Sequence, residues 1–523
     1  MGLFEHVLLG IQATMLGPTV YGVPLNVVMV VFGFVFGVFI GATPGLAGPM
    51  AMAIALPILI SVFGYEAGAL LPILGFLIGV MKGATLGGAV PAILFNTPGT
   101  PDALLTTYDG FPMTKKGDAK KALKTAHFSS VTGDTISDIV LIVCAPFLAV
   151  FVEAYLDLPE KSALIIFSLT FIAAVMGKNI AKGLIAIGLG LFVAFIGSGE
   201  DFYPRLSLGF DAVAGGFPIV TVVLGALIVG EVLAAMIIAR GESASAGKLT
   251  QIKMNPASNL TWRERLKLLR FIVPSAFIGT VIGALPGIGS TMAATIGYTS
   301  GRKRHERSAA PDAEKFGDGI AEGVASTEAA NSAVSGANLI PVLSLGIPGN
   351  ASAIFLILAM ETVDGINPGP SVFRVPAEGV NPEMVMAFGV FSLMIMANIL
   401  NWIFGGRIMQ LMSVMALVPK QILLPAVLLV TLTSVYAQET SFYAILCIIG
   451  FGFLGLLMRL LGFPILPFVI AVILGSILER TARQAFASTG ADPYFLFSSP
   501  VSIALMGATF LVIYLFARGI KKS

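Results

Sequence analysis

The stretch GVFIGATPG, Gly37 to Gly45, returns as GTVIGALPG, Gly279 to Gly287, so a Gly-x3-Gly-x2-Pro-Gly pattern occurs in both halves of the chain. Each copy is answered downstream by a second Pro-Gly at a shared spacing, in PAILFNTPG, Pro91 to Gly99, and PVLSLGIPG, Pro341 to Gly349. All four Pro-Gly pairs lie inside strongly apolar sequence. Proline removes a backbone donor and clashes with the preceding turn, while glycine permits backbone angles that other residues avoid, so each pair is expected to interrupt a helix.

What surrounds these pairs decides what an interruption means. The chain has 523 residues, 56% hydrophobic and only 11% charged, with a mean hydropathy of +0.92, beyond the range of soluble domains. Apolar runs recur near the length that crosses a bilayer, which predicts an all-α polytopic membrane protein with roughly a dozen transmembrane segments. The short alternating segments of a membrane β-barrel are not present. In a bilayer a broken helix is tolerated only where the break is buried in protein or lines a wet cavity. Interrupted segments at matching positions of two halves point to a transporter's substrate site.

In chain order, residues 24–63 form an apolar run split at Thr43-Pro44-Gly45, residues 66–81 a further segment, and 84–97 a half-helix ending at Asn96-Thr97-Pro98-Gly99-Thr100. A polar loop with Lys115, Lys116, Lys120, Lys121 and Lys124 precedes hydrophobic segments near 130–156, 161–177, 182–198 and 217–240. A basic linker, 241–270, leads to the second broken segment, 271–300, and then to a polar stretch, 321–338. Segments near 384–404, 421–437, 440–458, 463–479 and 497–518 finish the chain before Lys521-Lys522. The expected domains are a first repeat, 1–240, with its broken-helix module at 24–101, the linker, and a second repeat, 271–523, with its module at 271–360 and an extra C-terminal helix.

Net charge is only +2, but the basic residues sit in a few loops, which sets orientation by the positive-inside rule. Loops 115–124, 240–270 and 301–307, Lys178 with Lys182, and the C-terminus are expected on the cytoplasmic side. Equivalent loops of the two halves have opposite charge character, Lys115–Lys124 against the weakly charged 361–383 for example, so the repeats are expected to be inverted. Arg480 and Arg483 fall on the outer side in this scheme and count against it. The N-terminal residues 1–17 lack the basic start and cleavage site of a secretory signal and read as a short interfacial helix.

In an inverted pair the breaks converge near the midplane. Segments beginning after Pro-Gly expose N–H groups that suit an anion; segments ending there expose carbonyls that suit a cation when joined by side-chain oxygens. The candidate substrate and ion residues are therefore Thr43, Pro44, Gly45, Asn96, Thr97, Pro98, Gly99, Thr100, Pro286, Gly287, Ser290, Thr291, Pro348, Gly349, Asn350 and Ser352. Against this stands the commonness of Gly and Pro in membrane helices and the use of Gly-x3-Gly as a packing face. Asn331, Ser335 and Asn338 share a helical face and are second candidates as cavity lining, with Glu328 expected nearer the interface. Asp134 and Asp138, four apart, share a face as well; buried carboxylates in membranes are cation or proton sites, and an interfacial helix-start position is the alternative. Cys144 and Cys447 read as packed thiols.

Catalytic signals are poor. No phosphate-binding loop or His-Glu-x2-His occurs, His6, His127 and His305 are scattered, and Phe316-Gly317-Asp318 only faintly matches an intramembrane protease motif. No nucleic-acid footprint, metal cluster or organic cofactor is expected.

GATPGLAGPMAMAIALP from Gly41, GGAVPAILFNTPGTPDA from Gly87 with TTYDGFPMTKKG from Thr106, IGALPGIGSTMAATIGY from Ile282 and LSLGIPGNASAIF from Leu343 together resemble the large membrane subunit of the tripartite tricarboxylate transporters, the TctA-type family. The order of elements matches over nearly the whole chain. The resemblance implies a secondary transporter of the bacterial inner membrane, importing small organic anions such as citrate or other di- and tricarboxylates on a sodium or proton gradient. It also implies a small four-helix membrane subunit and a periplasmic solute-binding protein as partners, and places the substrate and ion sites at the Pro-Gly regions. An elevator-like carrier is expected; a passive anion channel or a structural membrane scaffold is the alternative.

Overall fold

A computed structural model describes residues 2–43, 45–176, 179–199, 203–207, 209–241, 258–308, 313–376, 378–412 and 420–519. Pro44, Lys178, most of the 241–270 linker and the Lys521-Lys522 tail lie outside the described residues. The chain divides into two compact units, Met1–Ala149 with Glu242–Leu423, and Val150–Gly241 with Leu424–Ser523. Each unit draws on both halves of the sequence.

Helices are numbered in chain order. The first unit opens with α1 (Leu3–Met15), α2 (Leu25–Gly41), α3 (Gly48–Phe63), α4 (Ala67–Phe95), α5 (Thr106–Lys115) and most of α6 (Ala119–Tyr155), whose last residues belong to the second unit. The second unit continues with α7 (Leu158–Met176), α8 (Ile180–Phe195), α9 (Asp211–Ala214), α10 (Ile219–Leu224) and α11 (Gly230–Gly241). The chain returns to the first unit with α12 (Trp262–Ala284), α13 (Gly289–Ser308), α14 (Ala321–Ala337), α15 (Leu339–Leu345), α16 (Ala351–Thr362), α17 (Pro382–Leu400) and α18 (Gly406–Leu411). It ends in α19 (Lys420–Glu439), α20 (Phe442–Leu460), α21 (Ile465–Ser488) and α22 (Pro500–Gly519). The only strands among the described residues are two short hairpins, Thr19–Val20 with Val23–Pro24 and Gly197–Ser198 with Pro204–Arg205. Nine of the described helices are long and apolar enough to cross a membrane, and further apolar helices of 10–17 residues accompany them. The protein is a multi-pass helical membrane protein.

In the first unit α2 lies on α4, and α12 lies on α14. Both contacts are backbone-close because glycines face them. A Cβ on Gly37 would sit 2.5 Å from the Val80 carbonyl oxygen, and one on Gly79 2.5 Å from that of Val30. Gly279 and Gly283 present the same bare face to Ala330, Val334 and Ala337 of α14. The Gly-x3-Gly spacing is thus a packing device, as small-residue faces are in bilayers generally. Around α4 the packing is complete, with 89% of its most apolar stretch buried, whereas only 17% of that of α22 is.

Several elements differ from the sequence reading. The segment 66–81 and the half-helix 84–97 are one continuous helix, α4, with Lys82 at its middle. Its glycines do not break it, because α2 fills the space that side chains would take. The loop expected over the lysine-rich 115–124 is only a turn, 116–118, between the end of α5 and the start of α6. Cys447 is buried, but Cys144 is exposed on the apolar outer face of α6 beside Val143 and Phe147. His6 is buried in α1, where its ring bonds the Gly2 carbonyl and accepts from the Asn381 N–H, fixing α1 to the start of α17.

The second unit packs α21 against α7 and α8, α22 against α7, and α20 along α10 and α11. A π turn at Gly225–Val229 joins α10 to α11. Such a turn leaves carbonyls without their usual partners, and Arg459 of α20 takes two of them, donating to Ala226 at 2.8 Å and Leu227 at 2.9 Å while pairing with Glu231. Arg483 bonds Glu479, which also holds Arg205, so that charge is compensated within its own unit.

Candidate functional site

Each Pro-Gly region ends a helix as expected. After α2, Thr43 turns its hydroxyl back to the Phe39 carbonyl at 2.9 Å, and Gly45 adopts φ 89°, a left-handed conformation that glycine accepts without strain. After α4, Asn96 is left-handed and the Thr97 N–H returns to the Pro91 carbonyl at 3.2 Å. After α15, Gly346 is left-handed and the Ile347 N–H returns to the Pro341 carbonyl, also at 3.2 Å. The two downstream breaks are therefore capped alike, each by a left-handed residue followed by an N–H that returns to the motif proline six residues earlier.

Within each half the two breaks meet. The Gly99 N–H donates to the Gly88 carbonyl, and a Cβ on Gly99 would strike the Gly41 carbonyl. In the second half the Gly287 N–H donates to the Gly349 carbonyl at 2.8 Å, and Gly349 lies against Asn338. Pro286 and Pro348 end their helices beside this contact, and Pro98 does so beside Gly99. Asn350 caps α16, its Oδ1 accepting from the Ala353 N–H, and Ser352 is buried one turn position on. Thr97 and Thr291 are exposed, whereas the Thr100 hydroxyl is buried without a partner.

The halves meet at Asp102, a residue the sequence reading passed over although GTPDA contains it. Asp102 sits in a short 3-10 turn, Pro101–Ala103, and accepts from Thr291 Oγ1 at 2.8 Å and from Ser290. Both hydroxyls belong to the first turn of α13, so a carboxylate occupies the helix N-terminus that was expected to receive an anion.

Beside it runs α14, buried from Gly323 to Ala337 despite its polar sequence. Glu328 is fully buried and receives a short hydrogen bond from Thr106. Asn331 is 1% exposed, and neither its Oδ1 nor its Nδ2 has a partner; Ser335 on the same helix and Asn338 just past its end are buried. Native proteins rarely leave such groups unpaired, and an amide with both ends idle costs stability. Asp109 is a further residue the sequence did not single out. Its Oδ1 accepts from the N–H groups of Gly317, Gly319 and Ile320, and its Oδ2 from the Tyr298 hydroxyl, so it clamps the approach to α14 against α13. The Phe316-Gly317-Asp318 segment serves this clamp.

Asp134 and Asp138 are not at a helix start. They lie well inside α6, nearly fully buried, and close on Lys82 of α4. No group of His, Cys, Asp and Glu suited to a metal ion occurs among the described residues.

Paired helix breaks, a buried polar helix beside them and helices of membrane-spanning length define a membrane protein with a polar site on interrupted helices. The chain belongs to the Tripartite tricarboxylate transporter TctA family, whose model matches residues 27–470. An uncharacterized 52.8 kDa protein in the TAR-I ttuC' 3'region of Agrobacterium vitis is 28% identical over 486 residues, covering 92% of this chain and 91% of that protein. A second Agrobacterium vitis protein, from the TAR-II ttuC' 3'region, is 28% identical over 229 residues, 44% of this chain and 89% of that protein. No solved structure matches. Family membership makes this chain a membrane component of a tricarboxylate transporter, within a system that has other subunits.

Proposed function

We infer that the chain is the permease of a binding-protein-dependent secondary transporter of the bacterial inner membrane, importing a small di- or tricarboxylate on a cation gradient. The observation that carries this reading is the junction of the two halves at Asp102, Ser290 and Thr291. There one carboxylate already rests on a helix N-terminus, at the place and with the partners a substrate carboxylate needs. Substrate exchanges for Asp102, with Asn96, Thr97, Asn350 and the idle Asn331 amide as further polar partners. The breaks of the inverted repeats move as a body, in the manner of an elevator, and differential binding of anion and cation to the two facing states drives the shift. A periplasmic binding protein delivers the substrate and a small four-helix subunit completes the membrane complex.

The test is uptake of labelled citrate and a panel of dicarboxylates into proteoliposomes holding the complete complex, with sodium and proton gradients imposed separately. Saturable uptake that needs one gradient is expected. Uptake that does not saturate and ignores both gradients would return the chain to the channel reading.

A further inference from the structure

Lys82 stands at the centre of α4 with a side chain that is 0% exposed. Its Nζ lies 2.8 Å from Asp134 Oδ1, 2.8 Å from Asp138 Oδ2 and 3.1 Å from Asn398 Oδ1 of α17, while Asn398 Nδ2 donates to Asp138 Oδ2 at 2.7 Å. Of the three donors of the ammonium, one bonds Asp138 and one Asn398, while the charge also pairs with Asp134. The protein's own cation thus fills the position between the two carboxylates that a sodium ion would require.

Charge counting then leaves a remainder. Two carboxylates against one ammonium make a cluster with one excess negative charge, buried among α4, α6 and α17. An uncompensated buried charge is costly enough that the group takes up a proton instead. A second observation locates an idle acceptor. Asp138 Oδ1 is buried without a hydrogen-bond partner, as is the neighbouring Ser137 hydroxyl, and both lie where a Cβ on Gly336 of α14 would fall. That open oxygen faces the polar helix of the site.

We propose that the Asp134/Asp138 pair is the proton-binding site that couples transport, taking up one proton to reach neutrality with Lys82 as a resident counter-ion and releasing it to leave one negative charge. This rests on the transporter reading above. The groups around the pair are few: Lys82 from α4, Asn398 from α17, and Ser137 with Gly336 at the α6 and α14 contact. The next titratable groups on those elements are His127 on α6, bonded to the Asn401 carbonyl, and Glu328 on α14, bonded to Thr106. Protonation therefore changes net charge where the long helices of both modules flank α6, which is what a coupling ion must do to favour one facing state.

Two measurements test it. In pH-step infrared difference spectra of the purified wild-type chain, a protonated-carboxyl band that shifts in deuterium oxide and titrates is expected, and it disappears in Asp138→Asn and in Asp134→Asn. No such band in wild type, or a band unchanged in both variants, would overturn the assignment without reference to any substrate. In proteoliposomes of the complex, a proton gradient without sodium is expected to drive labelled citrate accumulation, and Asp138→Asn to lose accumulation while keeping citrate counterflow. Accumulation driven by sodium alone with no proton movement would overturn the proton site and leave the transporter standing. No movement of citrate or of any dicarboxylate in the panel, under any gradient or in counterflow, strikes the transporter reading, and the infrared result then decides the site.

Discussion

The two broken-helix modules of the first unit build their downstream breaks alike and differ in chemistry. Aligned on Pro91 and Pro341, the helix ends, the bonds back to the motif proline and the glycine-faced contacts coincide. The side chains do not. Nine residues before the motif proline, α4 carries Lys82 and α14 carries Ser332; three residues before it stand Gly88 and Asn338. Both members of the first pair reach α6, Lys82 through Asp134 and Asp138, and Ser332 through Ser130 at 2.5 Å. The Asn350 position is Thr100 in the first module, and there the capping bond is lost and the hydroxyl is left idle. What repeats is the scaffold that makes breaks possible. What differs is the side chain brought to α6: the first module brings the charge of Lys82, the second the uncharged hydroxyl of Ser332.

The largest effect is expected where charge is concentrated. Lys82→Met strands two buried carboxylates and is expected to cost about 3–5 kcal/mol, read as loss of monodisperse protein in thermal unfolding. Combining it with Asp134→Asn and Asp138→Asn restores much of the stability, and the matching Ser332→Ala costs far less. Equal losses for Lys82→Met and Ser332→Ala would break the asymmetry.

The shared scaffold is probed next. A Cβ on Gly41 meets the Ala84 backbone carbonyl, whereas one on Gly283 meets the Ala337 methyl at 2.8 Å. Gly41→Ala is expected to destabilise by about 1–3 kcal/mol and Gly283→Ala by less, both measured by thermal unfolding in detergent.

Asn331→Ala separates function from stability. Removing a buried amide without partners is expected to leave stability unchanged or raise it by about 1 kcal/mol, while citrate uptake falls about tenfold, equivalent to roughly 1.4 kcal/mol of binding. Wild-type uptake would make Asn331 a packing residue. The smallest effect belongs to Asn350. Asn350→Ala loses a helix cap, about 1 kcal/mol, and Asn350→Asp keeps it; uptake that tracks capping across the two variants would assign Asn350 to scaffold rather than site.

The positions of the breaks were legible in the sequence because proline and glycine act locally, and α2, α4, α12 and α15 end beside the motifs. The polar face of α14 was legible from spacing alone. The Lys82 cluster was not: the lysine reads as a gap between apolar segments until α6, distant in sequence, brings Asp134 and Asp138 to it. Asp102 was hidden for a related reason, since its partners Ser290 and Thr291 come from the other half of the chain. Asp109 looks like any loop acid until the N–H groups of Gly317, Gly319 and Ile320 converge on it. Local chemistry predicts where a helix stops, and only the fold tells which side chains that stop brings together.

The most direct measurement is thiol labelling of cysteines placed one at a time at Thr97, Thr291 and, as a lipid-facing control, Phe510, in a background with Cys144 and Cys447 replaced by serine. A transported carboxylate is expected to protect Thr97→Cys and Thr291→Cys and leave Phe510→Cys unchanged. Labelling of all three at the same rate with and without a carboxylate that the complex demonstrably transports would contradict a substrate site at the breaks.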